Sequence, residues 1–219
     1  MLKSFALIAT VCALATPAAF AHNEARSSAK PDAAAPPAQA PTAGTRDPRA
    51  YFTDADLLTQ DGRKIKFYSD MLHDRVVVAN VMYANCKDAC PLITKQMVDV
   101  KDELGELFGK KVYFVSITSD PVRDTPRAMK RYAQEQHADV AGWTFLTGSK
   151  NNVDGVLQRL GALSENFEEH ATLLYILDVD NKRMRKMLPN LPPKAIAEAA
   201  RLIATADKRP AAATVPKPD

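Results

Sequence analysis

An apolar run broken only by Asn80, Val76-Val77-Val78-Ala79-Asn80-Val81-Met82-Tyr83, leads almost directly into Cys86-Lys87-Asp88-Ala89-Cys90-Pro91. A β-branched run of this length has no polar alternation and therefore no face to give to water. It specifies a strand covered on both sides. Behind the cysteines, Ile93, Met97, Val100, Leu104 and Leu107 recur at spacings of four, three, four and three, which is one buried face of a helix. Pro91 suits its first position, where a missing N–H costs nothing, and Gly109 suits its end. Two thiols thus stand where a buried strand passes into a helix. The unpaired N–H groups and the positive dipole end of a helix N-terminus favour thiolate over thiol. Thiolate is the form that attacks disulfides and the form that binds soft metal ions, so the position supports both chemistries.

The rest of the globular part alternates strand and helix. Leu57 to Phe67 carries the turn signal Gln60-Asp61-Gly62 and reads as a small hairpin. Val112 to Thr118 is a second buried strand, and Thr125-Pro126 an N-cap with a favoured first residue, followed by a helix burying Met129, Tyr132 and Ala133. Trp143 to Leu146 is a short strand. Val153, Val156, Leu157 and Leu160 form a helix face closed by Gly161. Thr172 to Leu177 is a third strong strand, turned by Asp180-Asn181 into an antiparallel edge from Arg183 to Leu188, and a last helix runs from Lys194 to Thr205. This order predicts an α/β class with a central mixed sheet flanked by helices and a small N-terminal hairpin.

Residues 1–21 have the build of a secretory signal peptide: Lys3, the apolar stretch Phe5 to Ala15, and the small-x-small site Ala19-Phe20-Ala21. The stretch is broken by Pro17 and falls short of the roughly 20 residues a membrane span needs; an uncleaved anchor is the alternative. Residues 22–48, rich in Ala, Pro and Ser, read as a disordered linker, residues 49–208 as one domain, and 209–219 as a disordered tail. Export predicts a periplasmic or otherwise oxidising location. Cleavage removes Cys12 and leaves only Cys86 and Cys90. A structural bridge between them would close so small a loop that it would stabilise little. The net charge of +3, or +2 without Lys3, is too weak to point to nucleic acid or a membrane surface.

A structural zinc site needs four protein ligands, and no obvious four are present. Soft thiolates with one imidazole suit copper(I). His22, at the start of the exported chain, offers copper an amine and an imidazole, but reads more simply as an ordinary residue beside a cleavage site. His73 lies in a polar loop and His137 at a helix end among Gln134, Glu135 and Gln136, so both read as solvated. His170 differs in preceding a buried strand, Thr172 to Leu177. Asp120 and Asp124, flanked by Pro121 and Pro126, shape a turn and a helix start. Asp178-Val179-Asp180 begins like a calcium loop, but Arg183 and Pro189 occupy the glycine and final glutamate positions, which excludes it. Lys182, Arg183, Arg185 and Lys186 make a basic edge of the kind that blocks aggregation.

From Phe52 to Ile203 the chain resembles the Sco/SenC family of copper-handling, thioredoxin-fold proteins. The likeness is carried by Cys86-Lys87-Asp88-Ala89-Cys90-Pro91, by Phe114-Val115-Ser116-Ile117 with Ser119-Asp120-Pro121-Val122-Arg123-Asp124-Thr125-Pro126, by Leu146-Thr147-Gly148, and by His170-Ala171-Thr172-Leu173-Leu174-Tyr175-Ile176-Leu177-Asp178. The resemblance implies a thioredoxin-like fold in which Cys86, Cys90 and His170 bind one copper ion. It also implies a role in assembling the binuclear copper centre of cytochrome c oxidase, with the copper-receiving oxidase subunit or another periplasmic copper protein as partner. Lys87 stands where the family pattern has proline, and a cleavable signal stands where it has an anchor. Two functions follow. One is a metallochaperone passing copper by ligand exchange. The other is a thiol–disulfide oxidoreductase in which Cys86 attacks and Cys90 resolves, which needs neither His170 nor metal.

Overall fold

The computed structural model describes residues 47–206. The expected signal peptide with Cys12, the linker through residue 46 with His22, and the tail lie outside the described residues, as do residues 207–208 of the expected domain.

Helical structure is present already at Pro48, which the composition assigns to the linker. Asp47 accepts the Arg49 N–H and caps a short helix, α1 (Pro48–Phe52), so Pro48 opens a helix instead of ending the linker. The hairpin forms as expected from β1 (Asp56–Thr59) and β2 (Lys64–Lys66), paired antiparallel. Gly62 takes a φ of 76° in the turn. A single π-helical turn, Phe67–Leu72, follows. The residue pattern does not announce it, because a six-residue element is too short to show a period. It tucks Phe67, Tyr68, Met71 and Leu72 inside and leads to β3 (Val76–Met82), all of whose residues are buried.

Helix α2 (Ala89–Leu104) corrects two expectations. Pro91 is its third residue, not its first, where its missing N–H is still one of the four that a helix start leaves unpaired. The helix ends at Gly105, which adopts φ 55° and ψ −127°, a conformation open to glycine and strained for other residues. Leu107 therefore sits in a 3₁₀ turn and outside the helix. Gly109 serves a different purpose. A Cβ on Gly142 would lie 2.9 Å from the Gly109 Cα, so the two backbones meet where no side chain fits. The remaining elements are β4 (Val112–Thr118), α3 (Pro126–Glu135), β5 (Trp143–Gly148), α4 (Lys150–Leu160), β6 (Leu174–Asp178), β7 (Arg183–Met187) and α5 (Pro193–Thr205). The N-caps are as the sequence predicts at Thr125, which accepts the Ala128 N–H, and α4 closes on left-handed Gly161. β6 starts two residues later than the pattern predicts, leaving Thr172 and Leu173 in the loop after His170.

Among the described residues, seven strands form one mixed sheet in the order β2-β1-β5-β4-β3-β6-β7. β3, β4 and β5 are parallel, while β6 runs antiparallel to β3 and β7 to β6. β7 is the expected edge, its Arg183 paired with Asp178 and its Lys186 ammonium over the Tyr175 ring.

Alternation along β3 sorts its side chains between two layers. Val76, Val78 and Met82 join the layer of α2, α3 and α5, packed against Met97, Val100, Tyr132 and Ile196. Val77, Ala79 and Val81 join the layer of α4 and the π turn, against Val153, Leu157 and Phe67. Each fully buried aliphatic side chain contributes about 1.5–3 kcal/mol. Helices on both faces are therefore what make a continuous apolar strand stable. Among the described residues, no helix is long and apolar enough to cross a membrane.

Candidate metal centre

Three connections converge at one end of the sheet. β3 leaves its C-terminal end toward the cysteines, β4 leaves beside it toward Asp120, and β6 enters there from His170. Because β6 is antiparallel to β3, with Leu174 opposite Asn80, the start of β6 lies beside the end of β3. Strand direction thus brings a residue 80 positions away to Cys90: His170 Nε2 lies 3.9 Å from Cys90 Sγ. A first-row ion bound by sulfur at about 2.3 Å and imidazole nitrogen at about 2.0 Å with a trigonal angle separates the two donors by about 3.7 Å. The observed gap fits one shared ion.

Both cysteines are thiols and both are buried. Asp88, the N-cap of α2, makes no side-chain cap. The sulfur of Cys86 takes that place, accepting the Cys90 N–H at 3.4 Å. Burial alone would raise the Cys86 pKa. The thiol of Cys90, the N–H groups of Cys90 and Asp88 and the hydroxyl of Tyr83 all point at its sulfur and together hold it below the ordinary thiol value. Cys90 goes the other way: burial, and then its bond to Cys86, push it up to about 12. The surroundings thus favour thiolate at Cys86 and thiol at Cys90. Tyr83 is also pushed up to about 12, by burial and then by Cys86, so it remains a donor.

His170 is buried, and burial lowers its pKa, partly opposed by the carbonyl of Ala171 near Nδ1. That carbonyl, 3.3 Å from Nδ1, favours the tautomer that leaves the Nε2 lone pair facing Cys90. The ring also meets Tyr83 edge-on at 5.9 Å, and Tyr83 meets Phe167 edge-on at 5.0 Å.

Cys90 contacts both other donors, but the three donor atoms do not all fall within 4.8 Å of one another; among the described residues the group that does is His73, Asp74 and Asp180. That group stands at the opposite end of the sheet, where β3 begins and β6 ends. His73 Nδ1 lies 3.1 Å from Asp180 and its Nε2 3.5 Å from Asp74, with the imidazole half-exposed. His137 is exposed just past α3, at φ 55°, and joins neither group.

Three contributors escape the residue pattern. Tyr83 reads as the end of the buried strand, although an aromatic three residues before a reactive thiol is a signal. Phe167 gives no signal. Asp124 reads as turn chemistry, yet it is 3% exposed and accepts both the Thr118 hydroxyl at 2.5 Å and the Ala84 N–H at 3.0 Å. Burial raises its pKa against those two bonds.

Comparison with known proteins covers the whole of this architecture. A family profile described as SCO1/SenC matches residues 44–205. A SCO2-like protein of Rickettsia felis is 26% identical over 155 residues, covering 66% of this chain and 73% of its own. The crystal structure of a SCO1/SenC family lipoprotein from Bacillus anthracis superposes with a TM-score of 0.59 at 29% identity, covering 68% of this chain and 92% of that one. Bradyrhizobium japonicum ScoI, solved with copper bound, gives a TM-score of 0.55 at 22% identity over 67% of this chain and 94% of that one, a likeness of fold.

Proposed function

Because the chain belongs to the SCO1/SenC family, we propose that it is an exported copper carrier that takes up one copper ion on Cys86, Cys90 and His170 and hands it to a partner by ligand exchange. The observation that carries this is the 3.9 Å approach of His170 Nε2 to Cys90 Sγ, with Cys86 Sγ held against the Cys90 N–H. Two sulfurs and one neutral imidazole form a soft donor set that suits copper(I) and excludes magnesium, and a structural zinc would need a fourth protein ligand. A three-ligand site leaves room for an incoming thiolate or imidazole, so the ion transfers without being released free. The family resemblance directs the cargo to the binuclear copper centre of cytochrome c oxidase or to another periplasmic copper protein. Anaerobic copper(I) titration of the reduced protein, beside Cys86→Ala, Cys90→Ala and His170→Ala, tests the assignment. One equivalent bound by the parent protein and a loss of orders of magnitude in each variant are expected. Parent-like affinity in His170→Ala removes the imidazole from the site.

One observation favours a second reading, thiol–disulfide exchange. Cys86 is held below and Cys90 pushed above the ordinary thiol value, the asymmetry of an attacking thiol and a resolving thiol. Cys86 thiolate attacks a partner disulfide and releases one partner thiolate. Cys90 then deprotonates and closes the Cys86–Cys90 disulfide, leaving the partner dithiol. Reduction of a disulfide substrate by the metal-free dithiol protein, one equivalent per chain or continuous with an added thiol reductant, and unchanged in His170→Ala, assigns the protein to this chemistry.

A further inference from the structure

The turn between β4 and α3 carries no proposed ligand, yet it is bonded to both ligand-bearing loops. Toward the thiols, Asp124 accepts the N–H of Ala84, two residues before Cys86. Toward the imidazole, the Ser119 hydroxyl donates to the Phe167 carbonyl at 2.9 Å, three residues before His170. The Arg123 guanidinium lies 4.3 Å over the Phe167 ring. The turn is fixed on itself: Arg123 pairs with Asp120, Asp124 accepts from Thr118, and Thr118 accepts the Asp120 N–H. The Ser119 N–H bonds the carbonyl of Met82, at the root of the thiol loop.

We infer that the Ser119–Asp124 turn is a brace that sets the gap between the thiols and the imidazole, with Ser119 and Arg123 as positioning residues for His170 and Asp124 as the positioning residue for Cys86. The physical reason lies in the elements on either side. Cys86 and Cys90 are anchored by β3 and α2. His170 is preceded only by a 3₁₀ turn, Phe167–Glu169, and followed by three residues outside any strand. A loop with so little ladder of its own takes its position from what it leans on. The two contacts at Phe167 transmit that position through its ring to Tyr83, and from Tyr83 to His170. Arg123 is held from two sides, its guanidinium pairing with Asp120 while it lies over the Phe167 ring beside the site.

This inference rests on the copper reading for one arm of its test and stands free of it for the other. In the first arm, copper(I) affinity is measured for Ser119→Ala/Arg123→Ala with His170 present and in the His170→Ala background. Loss of outer contacts that orient a ligand costs about 10–100-fold in metal affinity. A loss of about tenfold is expected with His170 present. In the His170→Ala background, where there is no imidazole left to position, the change should stay within about twofold. Equal losses in both backgrounds, or no loss in either, overturn the brace. The second arm uses metal-free, reduced protein. The His170 ring resonances are expected to move in Ser119→Ala/Arg123→Ala. In Asp124→Ala the alkylation rate of Cys86 is expected to change while the His170 ring stays. Asp124→Asn, which keeps a carbonyl oxygen for both donors, should behave as the parent. An unmoved His170 ring in the double variant overturns the brace whether or not copper binds. If the double variant fails to fold, Arg123→Ala alone, at its exposed position, gives the same readouts, and Arg123→Lys should recover part of the loss.

Discussion

Each end of the sheet gathers a histidine with other donor atoms, and the two gatherings differ in what they leave free. At the end where β3 and β4 finish, His170 is buried, one nitrogen faces a backbone carbonyl and the other faces a thiol. At the end where β3 begins, His73 is half-exposed and both its nitrogens face carboxylates. Asp180 is committed as well, accepting from the Tyr68 hydroxyl and the Asp74 N–H while it contacts His73. The second group is tighter by distance, and it is occupied by its own hydrogen bonds. The first is looser, with Cys90 Sγ and His170 Nε2 3.9 Å apart, about the separation of two donors to one ion. Proximity is what distinguishes the second group; soft donors and burial, which suit copper(I), distinguish the first.

The largest effect expected from this contrast is the loss of copper(I) affinity by orders of magnitude in Cys90→Ala, because Cys90 is the donor that touches both others. Asp180→Asn, at the far end, should leave affinity within about twofold, as for distant independent sites. Competition titration of the two variants measures both, and a comparable loss in Asp180→Asn would break the comparison.

Next in size is the pH dependence of binding. Cys90, pushed up to about 12, keeps its proton in the metal-free protein at neutral pH and must lose it to bind an ion. Affinity should therefore rise about tenfold per pH unit from this proton between pH 6 and 8. Cys86, held below the ordinary thiol value, adds to the slope only while pH is below its own pKa. His170, lowered by burial, adds to the slope at the acid end. A flat profile between pH 6 and 8 would place the thiol protons elsewhere.

The opposite end should register in stability instead. Burial acts to raise the Asp180 pKa, but the Asp74 N–H, the Tyr68 hydroxyl and His73 outweigh it and hold the carboxyl below its usual value. With the folded pKa below the unfolded one, its contribution is present above the usual carboxylate range and is lost as pH falls through the folded pKa. Asp180→Ala should cost about 1–2 kcal/mol at neutral pH, and denaturant unfolding at pH 7 and at acid pH should show that cost shrinking. The smallest effect is expected for His73→Gln. An exposed pair contributes about 0–1 kcal/mol, so unfolding and copper titration should both stay close to the parent.

How much of this is legible in the sequence depends on whether the signal is local. The pattern of β3 announces burial on two faces because seven consecutive residues show it without reference to any partner. Thr125-Pro126 and Gly161 announce helix ends because capping is settled within one turn of chain. The end of α2 lies at Gly105 and not at Gly109, and the residue pattern does not separate them. Both glycines take positive φ, and only their surroundings distinguish a helix stop from a close backbone approach. The short helix at Pro48 and the π turn at Phe67 escape because neither is long enough to show a period.

What the amino-acid order determined by itself was the chemistry on offer: two thiols at the start of a helix, where backbone N–H groups stabilise a thiolate, and a mixed α/β sheet to hold them. The residue pattern set His170 apart only as the histidine before a buried strand, and the tertiary structure is what places it against Cys90. His73, His137 and His170 are alike as side chains. The antiparallel pairing of β6 with β3 delivers one of them to the thiols and leaves the other two elsewhere, because which loops meet is fixed by strand direction and order, and no single segment of the chain carries that information.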